Sequence, residues 1–154
     1  MKILIAVDES PSSQATVRWV CEHPWVDAAR FMVLSVAEVP ACSLVEPAGA
    51  GAYEGFEQEQ ARTSLTALAR ARCDLARVGL LAIEKVECGD PREVIIRVAN
   101  AERSDLLVVG SHSRASLAQW LLGSVASHLV THAPCSVLVI KSRPRKDGRK
   151  ERMS

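Results

Sequence analysis

Residues 110 to 124, GSHSRASLAQWLLGS, open and close on a Gly-Ser pair and follow the apolar run Leu106, Leu107, Val108, Val109. A glycine directly after a buried strand permits positive φ and lets a backbone N–H approach an anion that a Cβ would hold off. Gly110 suits that use. Where Gly123-Ser124 starts the helix read in VASHLVTH, the free N–H groups and dipole of the first turn form a second anion site, with the Ser124 hydroxyl beside it. Asp8, at the end of another apolar run, supplies a carboxylate able to bond a ribose hydroxyl. The chemistry these residue types suggest is capture of a nucleotide by its phosphate and sugar. The plainer alternative, a tight turn at Gly110 and a helix cap at Ser124, explains each junction singly and leaves the two readings about even.

Other constellations are weaker. His128 and His132 stand four apart on one helical face, a spacing that can bind a metal, with Cys135 and His112 close in sequence. Without a second spaced pair, two ordinary helical histidines are the better reading, and no metal is assigned. Ser113 lies one residue from His112, but nothing evident orients that pair as a triad would need, so no catalytic residue is assigned. The chain has no P-loop run and no Gly-x-Gly-x-x-Gly after its first strand. It does not read as a dedicated enzyme; slow ATP hydrolysis is the most that this residue set suggests.

The elements that must hold these residues alternate along the chain. KILIAVD (2 to 8) is a short apolar run, the pattern of a strand buried on both faces. Ser10 and Pro11 are an N-cap and a first-turn proline, starting a helix that runs to about His23. RFMVLSVA (30 to 37) is the second strand, and the Pro-, Gly- and Ala-rich residues 38 to 54 read as a long loop. Apolar residues at spacings of three and four predict the longest helix over about 55 to 78, stopped by Gly79. LLAIEKVE (80 to 87) alternates only in part, as a less buried edge strand does. Asp90 caps the next helix, Pro91 takes its first position, and Glu93 is placed for a capping box. DLLVV (105 to 109), a helix to about His132 and SVLVIK (136 to 141) complete the series.

Five strands separated by helices predict parallel pairing with right-handed crossovers: a single doubly wound α/β domain with helices on both faces. Ligands of such sheets sit beyond the carboxyl ends of the strands, where strand order reverses. Asp8, Val36, Ala37 and the run from Gly110 are therefore the candidates. The 154 residues, 48% hydrophobic, suit one domain with one sizeable core. No apolar stretch reaches the ~20 residues of a membrane span, and the N-terminus lacks a signal-peptide layout, so the expected compartment is the cytoplasm. Five scattered cysteines without a Cys-x-x-Cys pair read as reduced, core-packed thiols. The net charge of +1 is uneven: residues 141 to 154 hold seven Lys or Arg against Asp147 and Glu151, a local +5 that leaves the body near −4. With no aromatic residue for base stacking, residues 143 to 154 read as a basic, disordered tail, and nucleic acid and membrane are not expected partners.

The pattern Gly110-x-x-Ser113-x9-Gly123-Ser124 resembles the Gly-x-x-Gly-x9-Gly-(Ser/Thr) nucleotide motif of the universal stress protein family. KILIAVDES, the GDP before the third helix, SDLLVVGSHS and LLGSVASHLVTHAPCSVLVIK are similar to that family as well, in register over residues 1 to 142. The resemblance implies a five-stranded parallel sheet in the order 3-2-1-4-5 and a homodimer in which the last strands of two copies meet. For the family's ATP-binding branch it implies ATP, ADP or AMP as ligand, accompanied by Mg2+. Ala6, Val7 and Asp8 would lie at the first strand end with Asp8 near the ribose, and Val36 beside the adenine. Val109, Gly110, His112, Ser113, Gly123, Ser124 and Val125 would surround the ribose and phosphates. Ser113 departs from the motif's second glycine. Where positive φ is needed there, serine costs on the order of 1 kcal/mol, while its hydroxyl can donate to an anion.

Two functions from different classes follow. One is a nucleotide-binding regulatory module, in which occupancy orders the 38 to 54 loop and alters contacts with a protein partner. The other is a nucleotide-independent dimeric stress or scaffold protein acting through protein contacts.

Overall fold

The computed structural model describes residues 1–38, 50–112 and 122–142, with the backbone alone for 50–57. Most of the expected loop, Ser113 and the basic tail lie outside the described residues. The elements are β1 (Lys2–Ala6), α1 (Pro11–Glu22), β2 (Arg30–Ala37), α2 (Ala50–Arg77), β3 (Ala82–Cys88), α3 (Pro91–Ala101), β4 (Leu106–Gly110), α4 (Ser124–His132) and β5 (Ser136–Ile140). All five strands pair in parallel in the order β3-β2-β1-β4-β5. This is the doubly wound sheet that the alternation of elements predicts.

Side chains of successive strand residues point to opposite faces, so two apolar layers form. Ile3, Ile5, Phe31 and Val33 pack with Val17 and Val20 of α1 and with Leu68, Ala71 and Leu75 of α2. Leu4, Leu34, Leu107 and Val109 pack with Val94, Ile95 and Val98 of α3 and with Leu129 of α4. Helices α1 and α2 thus cover one face and α3 and α4 the other.

The helix starts follow local chemistry. Ser10 caps α1 by accepting from the Ser13 N–H, with Pro11 in the first turn. Asp90 caps α3 by accepting from the Arg92 N–H at 2.9 Å, with Pro91 in the first turn. Glu93, expected to reach back to the cap, stands instead 3.8 Å from His128 Nε2 on α4. Helix α2 starts at Ala50, inside the expected loop. A long helix extends at small cost per residue, so it runs through Gly51 and Gly55 where composition alone suggests a loop.

Thiol placement divides the cysteines. Cys21 and Cys135 pack beside the two cores, and burial pushes both thiols up from their ordinary value. Cys73 and Cys88 are exposed, contrary to the expectation of core packing. Cys42 lies outside the described residues.

The end of α2 gives a quantitative test. Leu80 N–H bonds Leu75 O and Gly79 N–H bonds Ala76 O, both at 3.0 Å, around a Gly79 φ of +81°. This is a Schellman closure, which needs a left-handed residue at Gly79. A Cβ there would meet no atom within 4 Å, so Gly79→Ala is expected to cost only the backbone term, about 1 kcal/mol. Leu75→Ala, which empties a fully buried site four residues earlier, is expected to cost about 2–5 kcal/mol. Urea unfolding of the two variants measures the difference.

Candidate functional site

Strand β1 lies between β2 and β4, and the chain leaves β1 and β4 towards opposite faces of the sheet. A cleft of about 220 Å³ opens at this point. Ala6 of β1, Val7 just after it, and Val109 and Gly110 of β4 line it at the strand ends. Leu34 and Val36 of β2 face Pro91 and Ile95 of α3 across an apolar half, with Glu38 at the edge. Asp8, Ser10, Ser13, Ser111 and His112 make the polar half, and α4 contributes Gly123, Val125 and Ala126.

Asp8 is held by the first turn of α1. Its Oδ1 accepts from the Ser10 N–H at 3.0 Å and from the Ser10 hydroxyl, while its own N–H donates to Ser13 Oγ at 3.0 Å. Ser10 Oγ in turn accepts from the Ser13 N–H at 3.1 Å, closing a small ring of bonds. Among the described residues Oδ2 takes no hydrogen bond. A carboxylate fixed through one oxygen and open at the other is an acceptor in a set position, suited to hydroxyl donors.

Gly110 lines the cleft as expected, without the positive φ expected of it. Its φ is not positive, since among the described glycines only Gly79 and Gly89 have positive φ. A Cβ on Gly110 would lie 2.6 Å from Ser12 Oγ and 3.0 Å from the Ser12 backbone carbon. The missing side chain therefore lets the first turn of α1 lie against the end of β4. Ser12 Oγ there accepts a long bond, 3.4 Å, from the His112 N–H.

Three helices start around this cleft, and they differ in how their free N–H groups are satisfied. Ser10 caps α1 and Asp90 caps α3. Arg92 holds the Asp90 carboxyl below its ordinary range through side-chain bonds, the shortest 2.6 Å, so that cap is ionised. Gly123 caps α4 with no side-chain bond, and nothing acidic stands in its first turn. The Gly123 N–H is itself used, donating to Ser111 O at 2.8 Å. The N–H groups after Gly123, with the positive end of the helix dipole, are of the kind that can receive an anion.

His112 supplies a further mark of incompleteness. Its Nδ1 lies 3.0 Å from Ser111 Oγ, whereas Nε2 is enclosed and has no hydrogen-bond partner among the described residues. An unsatisfied buried polar atom costs about 1–3 kcal/mol, and functional sites are where such atoms are kept.

Of the residues singled out in the sequence, Ala6, Val7, Asp8, Val36 and Val109 line the cleft together with Gly110, His112, Gly123 and Val125. Ser124 is the exposed first residue of α4 and is not part of the lining, and Ser113 lies outside the described residues. Sequence reasoning did not find Ser10, Ser13, Ser111, Leu34 or Ile95 as site residues. The signal for the first two was the Asp-x-Ser-Pro-x-Ser run, where an Asx turn meets a serine cap.

The histidine pair of α4 lies apart from these groups. The His128 and His132 rings stack at 4.2 Å, and His132 Nδ1 lies 3.0 Å from His128 O. Among the described residues no group of three or more His, Cys, Asp or Glu side chains is placed to hold a metal ion. Nor is any described helix long and apolar enough to cross a membrane.

Comparison with known proteins adds a family model. The model described as Universal stress protein family matches residues 1–141. A universal stress protein of Methanocaldococcus jannaschii is 27% identical over 155 residues, covering 92% of this chain and 95% of the relative. The solved structure of that archaeal protein superposes with a TM-score of 0.78 at 24% identity, over 93% of this chain and 96% of the other. A family member from Arabidopsis thaliana, solved with AMP bound, gives a TM-score of 0.68 at 20% identity, with coverage of 95% and 97%. A universal stress protein from Archaeoglobus fulgidus, in complex with dAMP, gives 0.65 at 20%, with coverage of 92% and 98%. At these identities the superpositions establish a shared fold.

The contact between Gly110 and Ser12 is open to a direct test. Gly110→Ala is expected to lower stability by about 1–3 kcal/mol by overpacking, read as a fall in the urea midpoint. Adding Ser12→Gly removes the Oγ and Cβ contacts at 2.6 and 3.1 Å and leaves the backbone carbon at 3.0 Å, so the double variant is expected to recover part of the loss. Read against Ser12→Gly alone, which carries its own helix cost, an undiminished loss on Gly110→Ala would show that the contact is not the cause.

Proposed function

The chain belongs to the universal stress protein family, and on that premise we propose that the cleft at the ends of β1 and β4 binds an adenine nucleotide as the input of a regulatory module. The observation that carries this reading is the pairing of the uncapped first turn of α4 with the fixed Asp8 carboxylate across one cleft. In it the base lies in the apolar half between Val36 and Ile95. The ribose hydroxyls donate to Asp8 Oδ2, and the phosphate meets the N–H groups at the start of α4. The bound AMP and dAMP of the two solved relatives support the ligand class. ATP and ADP fall within it, and Mg2+ would accompany them on the phosphates. Ser111 Oγ lies 3.0 Å from His112 Nδ1, but among the described residues no third group bonds Nε2 to orient that pair, and binding is the output the geometry supports.

Calorimetric titration of AMP, ADP and ATP, with and without Mg2+, tests the proposal. Ligand at a hundredfold excess over its dissociation constant stabilises the fold by about 2.7 kcal/mol, so a thermal shift should accompany the heat. Asp8→Asn keeps an oxygen for Ser10 while turning the open acceptor into a donor. It is expected to weaken binding by roughly 10-fold to 100-fold, the loss of one charge-assisted bond worth about 1.5–3 kcal/mol, at little cost to the fold. The absence of both heat and thermal shift at millimolar nucleotide would reject the reading.

A further inference from the structure

A cleft that takes phosphates is expected to present cations, yet among the described residues neither Lys nor Arg lines it. Arg92, next to the lining residue Pro91, is held by Asp90 at 2.6 Å. The acidic side chains of the lining, Asp8 and Glu38, make the local field negative. The first turn of α4 contributes only about half a positive charge. A single phosphate carries about −1.5 to −2 at neutral pH, and each further phosphoryl group adds to that. For a di- or triphosphate the described walls therefore leave most of the charge uncompensated.

Cations are concentrated at the far end of the chain. Residues 143–154 carry six Lys or Arg against Asp147 and Glu151, a net +4. Because all five strands are parallel, β5 ends on the same side of the sheet as β1 and β4, which is the side of the cleft. Its last residue, Ile140, pairs with Gly110, and Ile140 O accepts from the Ser111 N–H at 2.9 Å. Ser111 O accepts in turn from the Gly123 N–H at 2.8 Å, so one residue of the cleft lining links the end of β5 to the start of α4. Lys141, the first residue beyond β5, is exposed and is itself a cation. Twelve further residues span at most about 40 Å, more than enough to cross the cleft mouth from this tether. Screening confines charge attraction to about 8 Å at physiological ionic strength, so proximity decides which cations act, and the tether supplies it.

Building on the nucleotide reading of the cleft, we propose that the basic C-terminal segment, residues 143–154, supplies the cations for the phosphates beyond the first. It thereby makes the cleft selective for nucleoside di- and triphosphates over monophosphates. The first phosphate stays with the N–H groups of α4. Arg143 and Arg145, nearest the tether, bring guanidinium forks that match phosphate oxygens two at a time.

Calorimetric titration of ATP and AMP into the full chain and into a chain ending at Ser142 tests this. Removing residues 143–154 is expected to weaken ATP binding by roughly 10-fold or more, the loss of at least one charge-assisted bond, while AMP stays within about 2-fold. A full-length variant carrying Arg143→Gln, Arg145→Gln and Lys146→Gln separates charge from length and should lose most of the same preference. Added NaCl should weaken ATP more steeply for the full chain than for the shorter one. ATP affinity that truncation leaves unchanged, or lowers no more than that for AMP, overturns the proposal while the bound AMP keeps the nucleotide reading. Binding of neither nucleotide to either chain removes that reading and the proposal with it.

Discussion

The two-sided pairing of β1 is the constraint on which the rest depends. Its central residues Ile3, Leu4 and Ile5 are buried and pair with β2 on one side and β4 on the other. From β1 the chain builds outward through α1, β2, α2 and β3 on one face. It then has to return across the other face, through α3, to reach β4. Among the described residues no later connection runs over the end of β1, and the reversal of chain direction there opens a gap. The side chains decide what the gap can hold.

Hydrogen-bond accounting makes that decision local. Most polar groups around the gap are already engaged: Ser10, Ser13 and one oxygen of Asp8 bond one another, and Gly123 N–H is spent on Ser111 O. What is left over is small and of complementary kinds. Among the described residues it comprises one carboxylate oxygen, one histidine nitrogen and the first N–H groups of α4. An acceptor on one side and donors under a positive helix end on the other favour a ligand that is a hydroxyl donor at one end and an anion at the other.

Much of the fold was legible because it rests on short-range chemistry. Ser10-Pro11 and Asp90-Pro91 mark helix starts, Gly79 marks a helix end, and the imperfect alternation of β3 marks an edge strand. These signals act within a few residues and survive in the sequence. The start of α2 was not legible, because helix propagation overrode a composition typical of loops. The cleft was legible in part. The positions of Asp8, Gly110 and Gly123 are visible as punctuation after apolar runs, whereas Leu34 and Ile95 look like any other core residues. Only the crossing of α3 over β2 brings those two to the same wall. The use of Gly123 N–H by Ser111 was hidden for the same reason, since it depends on where a distant backbone oxygen arrives.

The contact of Gly110 with Ser12 bears on how glycine patterns in this fold are to be decoded. A residue excluded by a neighbouring helix is excluded whether or not a ligand is present. A chain that had lost its ligand altogether would still need glycine at this point to seat α1, so Gly110 carries almost no information about binding. The informative letters are those without a packing duty of their own: the open oxygen of Asp8 and the absence of a capping side chain at the start of α4. A change at either would be silent in the fold and audible only in the ligand.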